Sequence, residues 1–447
     1  MNHEPSLHTR REFLRTSLLG GALSWTIPAF LANTFSSLHA AAADSATQAV
    51  TGRDGRILVV LQMAGGNDGL NTVVPYTDDH YRRARPTLGL PAADVLKLND
   101  ELGFHPAMTG FKDLYDRGNL AVIPGIGYPN PNRSHFRSTE IWQTASDSEK
   151  VEKYGWLGRY FDNACAGCDP VVGVNIGRQT PQAFSARHPL GVSLENPQNY
   201  RFMAGDGGRG KATEASFRKL NDLDGNMAMD SGTAEANAGG TIESISGPVN
   251  HSGSALDFLE RTALDAQMSS EKIRAVSSSV QNQAEYPQSQ LANSLKLVAR
   301  LIGGGLPTRV YYVSQGGYDT HTNQLPTQQR LLKELGDSVK AFTADLKAQG
   351  NLPRVLVMTF SEFGRRVAQN ASGGTDHGAA APMFVVGDKV SAGLLGKYPS
   401  LAPKDLFEGD IKYNTDFRSV YAGILESWLN TPSAPILGRK FEPLKVV

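Results

Sequence analysis

The 447-residue sequence predicts an α/β fold, with a central, mostly parallel sheet flanked by helices. Three observations carry this. Runs of aliphatic and β-branched residues recur at 57–61, 120–123, 309–313, 354–360 and 383–386. They are continuous rather than alternating, as in strands covered on both faces. Helical patterns lie between them, and strands that alternate with helices imply parallel pairing through right-handed crossovers.

The clearest helix is predicted over 327–349. Leu331, Leu335, Val339, Phe342 and Leu346 form one stripe, Pro326 sits at the start and Gly350 at the end. A second helix is predicted over 290–301. A third, over 417–429, spaces Val420, Ile424 and Trp428 four apart. Residues 224–255 are rich in Gly, Ser, Ala and Asn and read as a mobile surface insertion. The sheet needs strands from both sides of it, so residues 44–447 are expected to form a single domain.

Residues 1–43 are set apart as an export signal. Arg10 and Arg11 lead into Glu12, Phe13, Leu14 and Arg15, and an apolar stretch runs from Ser17 to about Phe35, broken by Gly20, Gly21 and Pro28. Ala40 to Ala43 offer small residues for cleavage. A positive head, a short apolar run and small residues describe a cleaved signal rather than a membrane span. The arginine pair marks the twin-arginine type. The expected partner is the twin-arginine translocase, and the expected location is periplasmic or secreted, with no stable membrane span after cleavage. An uncleaved anchor is the competing reading; the glycines, the proline and the alanine cluster argue against it.

The chain holds 44 basic and 44 acidic residues, and residues 1–43 carry three arginines against two glutamates, so the remainder has one net negative charge. That balance, with no basic run, argues against a nucleic-acid surface. The only cysteines are Cys165 and Cys168. An oxidising compartment favours a local disulfide, with free thiols as the alternative. Asp169 and Pro170 read as a loop, not the thioredoxin-like setting that a redox pair needs.

In open α/β sheets, ligands bind beyond the carboxyl ends of the strands. Five segments there carry chemistry. They hold Asp68 in 64–71; Arg133, Ser134, His135 and Arg137 in 128–137; Asp319 and His321 in 314–321; Glu362 in 361–366; and Asp376 and His377 in 373–378. Three of the seven histidines beyond the signal fall in these segments. Carboxylate and imidazole together form the ligand set of zinc, manganese or iron. Each residue alone has a plainer reading. Asp68 suits a turn, Asp319 and His321 a satisfied loop pair, and Glu362 and Arg365 an ion pair. Ser134 is predicted at a helix start, where serine commonly caps, but where an anion could also meet free N–H groups.

The motifs GGNDGLNTVVPY (65–76), NRSHFRSTEIWQ (132–143), GWLGRYFD (155–162), GGYDTH (316–321), FSEFGRR (360–366), GTDHG (374–378) and DFRSVYAGILESWL (416–429) resemble domain-of-unknown-function family 1501. The resemblance runs from about residue 55 to the C-terminus. That family in turn looks like a remote branch of the alkaline phosphatase and sulfatase superfamily. The resemblance implies an alkaline phosphatase-like fold with one or two divalent metals (zinc, manganese or calcium) at the sheet edge. It implies Asp68, Asp319, His321, Glu362 and His377 as metal residues, with Asp376 or His135 completing the site where an imidazole is missing. Ser134 would be the nucleophile, with His135, Arg133 and Arg137 around an anionic ester. The sequence departs from that pattern twice. Asp319 and His321 are two apart where the superfamily spaces four, and Glu362-Phe363 stands where it has Asp-His. The expected activity is hydrolysis of phosphate or sulfate esters. The alternative is a non-catalytic periplasmic binding or assembly protein that retains the fold.

Overall fold

A computed structural model describes residues 55–165, 168–188, 190–198 and 269–447. The expected signal at 1–43 and the expected insertion at 224–255 lie outside the described residues.

The strands are β1 (Ile57–Met63), β2 (Val73–Val74), β3 (Leu96–Lys97), β4 (Gly103–Phe104), β5 (Leu120–Gly127), β6 (Gly173–Ile176), β7 (Val192–Leu194), β8 (Val310–Gln315), β9 (Val355–Phe360), β10 (Ala381–Val386), β11 (Gly393–Leu394) and β12 (Thr415–Asp416). The helices used below are α1 (Asp79–Ala84), α2 (Thr109–Asp116), α3 (His135–Thr144), α4 (Trp156–Ala164), α5 (Gln290–Gly303), α6 (Gln324–Ala348) and α7 (Phe417–Gly423). The main sheet has the order β11-β5-β10-β9-β1-β8-β6-β7, with β12 also on β5. β2, β4 and β3 form a small separate sheet.

β1 lies at the centre, parallel to β8 and β9, with Leu58 opposite Val310 and Ile57 opposite Val355. All its residues are buried. Successive side chains of a strand point to opposite faces, and β1 divides accordingly. Ile57, Val59, Leu61 and Met63 join a core with Phe111 of α2, Val298 of α5, and Leu335 and Phe342 of α6. Leu58 and Val60 join a second core with Trp142, Trp156, Tyr160 and Tyr421. In the second core Trp142 stacks between Phe360 and Phe417, with ring centroids 5.4 and 4.4 Å away. Such aromatic pairs add about 0.5–1.5 kcal/mol beyond area burial.

β10 runs antiparallel to both β9 and β5, against the rest of the sheet. Its direction matters for the site. β1, β5, β8 and β9 end at one edge, whereas β10 begins there. The segment before β10 therefore arrives at the same edge as the segments after the other four strands. β6 and β7 were not among the sequence-predicted strands; they are short, and Asn175 and Ser193 interrupt their apolar character. The predicted helix over 417–429 is α7 followed by a π-helical turn, Ile424–Trp428. α6 begins three residues before the predicted start, with Pro326 inside its first turn, where its missing N–H is harmless. Cys165 and Cys168 form a disulfide at the end of α4. Among the described residues no helix is long and apolar enough to cross a membrane.

His105, just before α2, is 3 % exposed, and its Nδ1 accepts the Ala107 N–H at 3.0 Å. Burial lowers its pKa to about 4, although the charge of Asp68 pulls the other way. The unfolded chain therefore takes up a proton below pH ~6.5 that the folded chain refuses until about pH 4. We predict that stability falls as pH drops through this window, by roughly 3 kcal/mol at most. Urea midpoints at pH 7 and pH 5 should differ less in His105→Gln; an equal difference would assign the effect to other groups.

Candidate metal centre

Five segments meet at the sheet edge, each brought there by a strand or helix end. The β1 segment turns at Gly65, whose φ of +121° suits glycine and whose added Cβ would lie 2.5 Å from the Asp319 backbone nitrogen. A side chain there would push the first and third segments apart.

Three imidazoles and one carboxylate face one another. The His321 and His377 Nε2 atoms are 3.0 Å apart, and each is 3.1 Å from Asp319 Oδ1. His135 Nε2 is 3.4 Å from Asp319 Oδ2. Ligand atoms of His135, Asp319 and His377 all lie within 4.8 Å of one another.

The other ring nitrogens are all committed. His135 Nδ1 meets Glu362 Oε1 at 2.9 Å, His321 Nδ1 meets Asp376 Oδ1 at 3.1 Å, and His377 Nδ1 meets the Arg133 carbonyl at 2.8 Å. A carboxylate or a carbonyl can only accept, so each Nδ1 carries the proton. In the neutral ring each Nε2 is then a bare lone pair. Three lone pairs and a carboxylate turned toward one another repel unless positive charge sits among them. His135 Nε2 is buried with no hydrogen-bond partner. Metal-binding histidines are oriented in this way, with the remote nitrogen donating to a carboxylate or carbonyl.

Burial pushes the Asp319 carboxyl up, but the hydrogen bond from Arg365 and the positive charge beside it outweigh this and hold the pKa at about 2. Burial lowers the pKa of His377, against the pull of Asp319 and the Arg133 carbonyl. The hydrogen bond to Glu362 raises His135, against its partial burial. Hydrogen bonds from Asn370 and His321 lower Asp376.

Several residues sit differently from the sequence-based expectation. Asp68 is not in the cluster: its carboxylate forms a fully buried ion pair with Arg85 at 2.6 Å. Glu362 and Asp376 stand behind histidines rather than beside the Asp319 carboxylate, and His135 has moved inward from the expected catalytic group. The Glu362–Arg365 ion pair does not form. Glu362 Oε1 instead accepts the Gly65 N–H, and Arg365 Nη2 donates to Asp319 Oδ1 at 2.7 Å. Arg133 is engaged by Asp410 at 2.6 Å and Glu408 at 3.1 Å. Arg137 binds Glu140 and the carbonyls of Asp147, Ser148 and Lys150. Both guanidinium groups are thus turned to other work. Ser134 is exposed at the start of α3, and its side chain makes no capping hydrogen bond.

Arg365 and Phe363 were not singled out for the site. Arg365 is buried and donates to the carbonyls of Gly65, Gly66, Tyr318 and Thr375, which ties three other segments to its own. The Phe363 ring lies 4.8 Å from His135 and 4.6 Å from His377, between centroids, and forms an apolar wall.

The family model described as "Protein of unknown function (DUF1501)" matches residues 56–428. The chain belongs to that family. The DUF1501 match includes every residue of the cluster and its supporting partners described above. No curated protein sequence matches the chain. Among solved structures, it is similar to a protein in the alkaline phosphatase superfamily from Vibrio parahaemolyticus, at 9% identity over 92% of this chain and 76% of that one, with a TM-score of 0.37. The PsFucS1 sulfatase from Pseudoalteromonas sp. is similar at 9% identity over 77% and 65%, with a TM-score of 0.32. The C-terminal periplasmic domain of EcEptC from Escherichia coli, in complex with Zn, is similar at 11% identity over 75% and 73%, with a TM-score of 0.34. The chemistry assigned to the cluster rests on its own geometry rather than on these likenesses.

Proposed function

We propose that this DUF1501 protein is a metal-dependent hydrolase of phosphate or sulfate esters, exported to the periplasm by the twin-arginine translocase. One observation carries the reading: three histidines with their Nδ1 protons committed turn bare Nε2 atoms toward the Asp319 carboxylate. His135, His377 and Asp319 would hold the ion, with His321 beside them. This nitrogen-rich set suits zinc or manganese better than calcium, which takes six to eight oxygens. When bound, the metal would supply positive charge to polarise the ester oxygens.

The chain's own residues do the rest. Glu362, Asp376 and the Arg133 carbonyl hold the rings in their binding tautomer. Ser134 has a hydroxyl that is not spent on capping, at a helix start whose first N–H groups are open to an anion. As nucleophile its oxygen would bond to the phosphorus or sulfur as the alcohol leaves, and water would then release the acid. The engagement of Arg133 and Arg137 elsewhere favours a second reading, a non-catalytic binding or assembly protein on the same fold.

The two readings separate on a panel of aryl phosphate and aryl sulfate esters with the zinc- or manganese-loaded protein. Turnover that drops at least about a hundredfold in Ser134→Ala, with metal retained, supports hydrolysis by the serine. Parental turnover in that variant makes Ser134 a helix start only. No turnover of any ester by the loaded parent favours the binding reading.

A further inference from the structure

We infer that Gln324 is a positioning residue for the metal centre, a single buried amide that clamps the two loops carrying Asp319, His321 and His377. The inference rests on the metal-site reading given above. Gln324 is the first residue of α6 and is 0 % exposed. A primary amide has two N–H groups and two acceptor sites on its oxygen, and here all are used. Nε2 donates to Asp68 Oδ2 and, at 3.2 Å, to Gln328 Oε1. Oε1 accepts from Thr375 Oγ1 at 2.6 Å and from Thr320 Oγ1 at 3.1 Å.

The two threonines are what give this amide its reach. Thr320 lies between Asp319 and His321, and Thr375 precedes Asp376 and His377. The loops also touch directly, with the Thr375 N–H on the Thr320 carbonyl at 3.2 Å and the Asn370 amide on the His321 carbonyl at 3.0 Å. Gly374 packs against the His321 backbone so closely that a Cβ would collide with it. One amide oxygen therefore joins, alongside these direct contacts, two strips of backbone that bear facing ligand atoms.

Asp68 explains why the amide holds this orientation. Its carboxylate cannot donate, so the nitrogen of Gln324 must face it and the oxygen must face the threonines. Arg85 fixes Asp68 in turn, and is itself held by the Val367 and Arg366 carbonyls. Gln328 Nε2 secures the same turn through the Asp68 carbonyl at 2.9 Å. The first-strand aspartate thus reaches the metal centre through Gln324 rather than by ligation.

The test measures zinc affinity of the full chain by competition with a chelator, and the visible absorption of the cobalt-substituted protein. Gln324→Leu keeps the volume and removes all four hydrogen bonds. Thr375→Val and Thr320→Val each remove one hydroxyl at nearly constant shape, so they serve even where Gln324→Leu folds poorly. Outer-shell changes typically weaken metal binding about 10–100-fold. We expect at least a tenfold loss for Gln324→Leu, a smaller loss for Thr375→Val, and an altered cobalt spectrum in both. Thr375→Ser, which keeps the hydroxyl, should recover most of its loss. The Gln324→Leu/Thr375→Val pair should lose no more than Gln324→Leu alone, because the Thr375 hydroxyl acts through its bond to Gln324, which Gln324→Leu already removes. Folded variants that bind zinc as the parent does, or losses that simply multiply in the double variant, overturn the inference while leaving the metal site intact. A parent that binds neither zinc nor cobalt overturns the metal reading itself.

Discussion

His377→Ala should abolish stoichiometric metal binding, with a loss of affinity well beyond the roughly 10–100-fold typical of an outer-shell change. The substitution removes the nitrogen that lies 3.1 Å from Asp319 Oδ1 and 3.0 Å from His321 Nε2. A methyl group offers no lone pair. Asp68→Asn is the informative control. The new amide can still accept from Arg85 and Gln324 through its oxygen, so this variant should keep much more metal than His377→Ala. Equilibrium dialysis with metal analysis distinguishes the two. If Asp68→Asn lost metal as completely as His377→Ala, Asp68 would have to be a ligand in the loaded protein.

Arg85→Met should cost about 3–5 kcal/mol of stability, because it leaves a buried carboxylate without its partner. The side chains of Arg85 and Asp68 are 0 % and 1 % exposed, so water cannot compensate. The Asp68→Asn/Arg85→Met double variant should be less destabilised than Arg85→Met alone, since it removes the charge as well. Denaturant unfolding of the three variants checks this. A double variant that loses the full sum of the single effects would mean that Arg85 acts mainly through its bonds to the Val367 and Arg366 carbonyls.

The sheet was legible because its central strands are buried on both faces and so read as unbroken apolar runs. β1, β5, β8, β9 and β10 all lie where those runs are. The site was legible as a location for a related reason: the polar residues that follow those runs gather at one edge, and His377 joins them because β10 runs the other way. The roles were harder to read. Asp68 and Asp319 look alike in sequence, each an acidic residue in a glycine-rich turn after a strand. What separates them is Arg85, seventeen positions after Asp68, and its approach to that carboxylate depends on where the end of α1 lies rather than on spacing. Glu362 and Asp376 were recognised as belonging to the site, but a carboxylate that binds metal and one that orients a histidine have the same sequence signature. His135 lay next to a candidate nucleophile and drew a catalytic reading, with completion of the metal site as the alternative; the direction of its ring, with Nδ1 on Glu362, favours the candidate ion site. Gln324 left no signal, because a glutamine at a helix start is an ordinary residue until four partners close around it.

The most direct test of the central claim is the metal content of the purified full chain, measured by elemental analysis after dialysis against zinc or manganese and then against metal-free buffer. The account predicts about one tightly held divalent ion per chain, lost in each of His135→Ala, His377→Ala and Asp319→Ala. A folded parent protein that retains no ion under any of these conditions would contradict it.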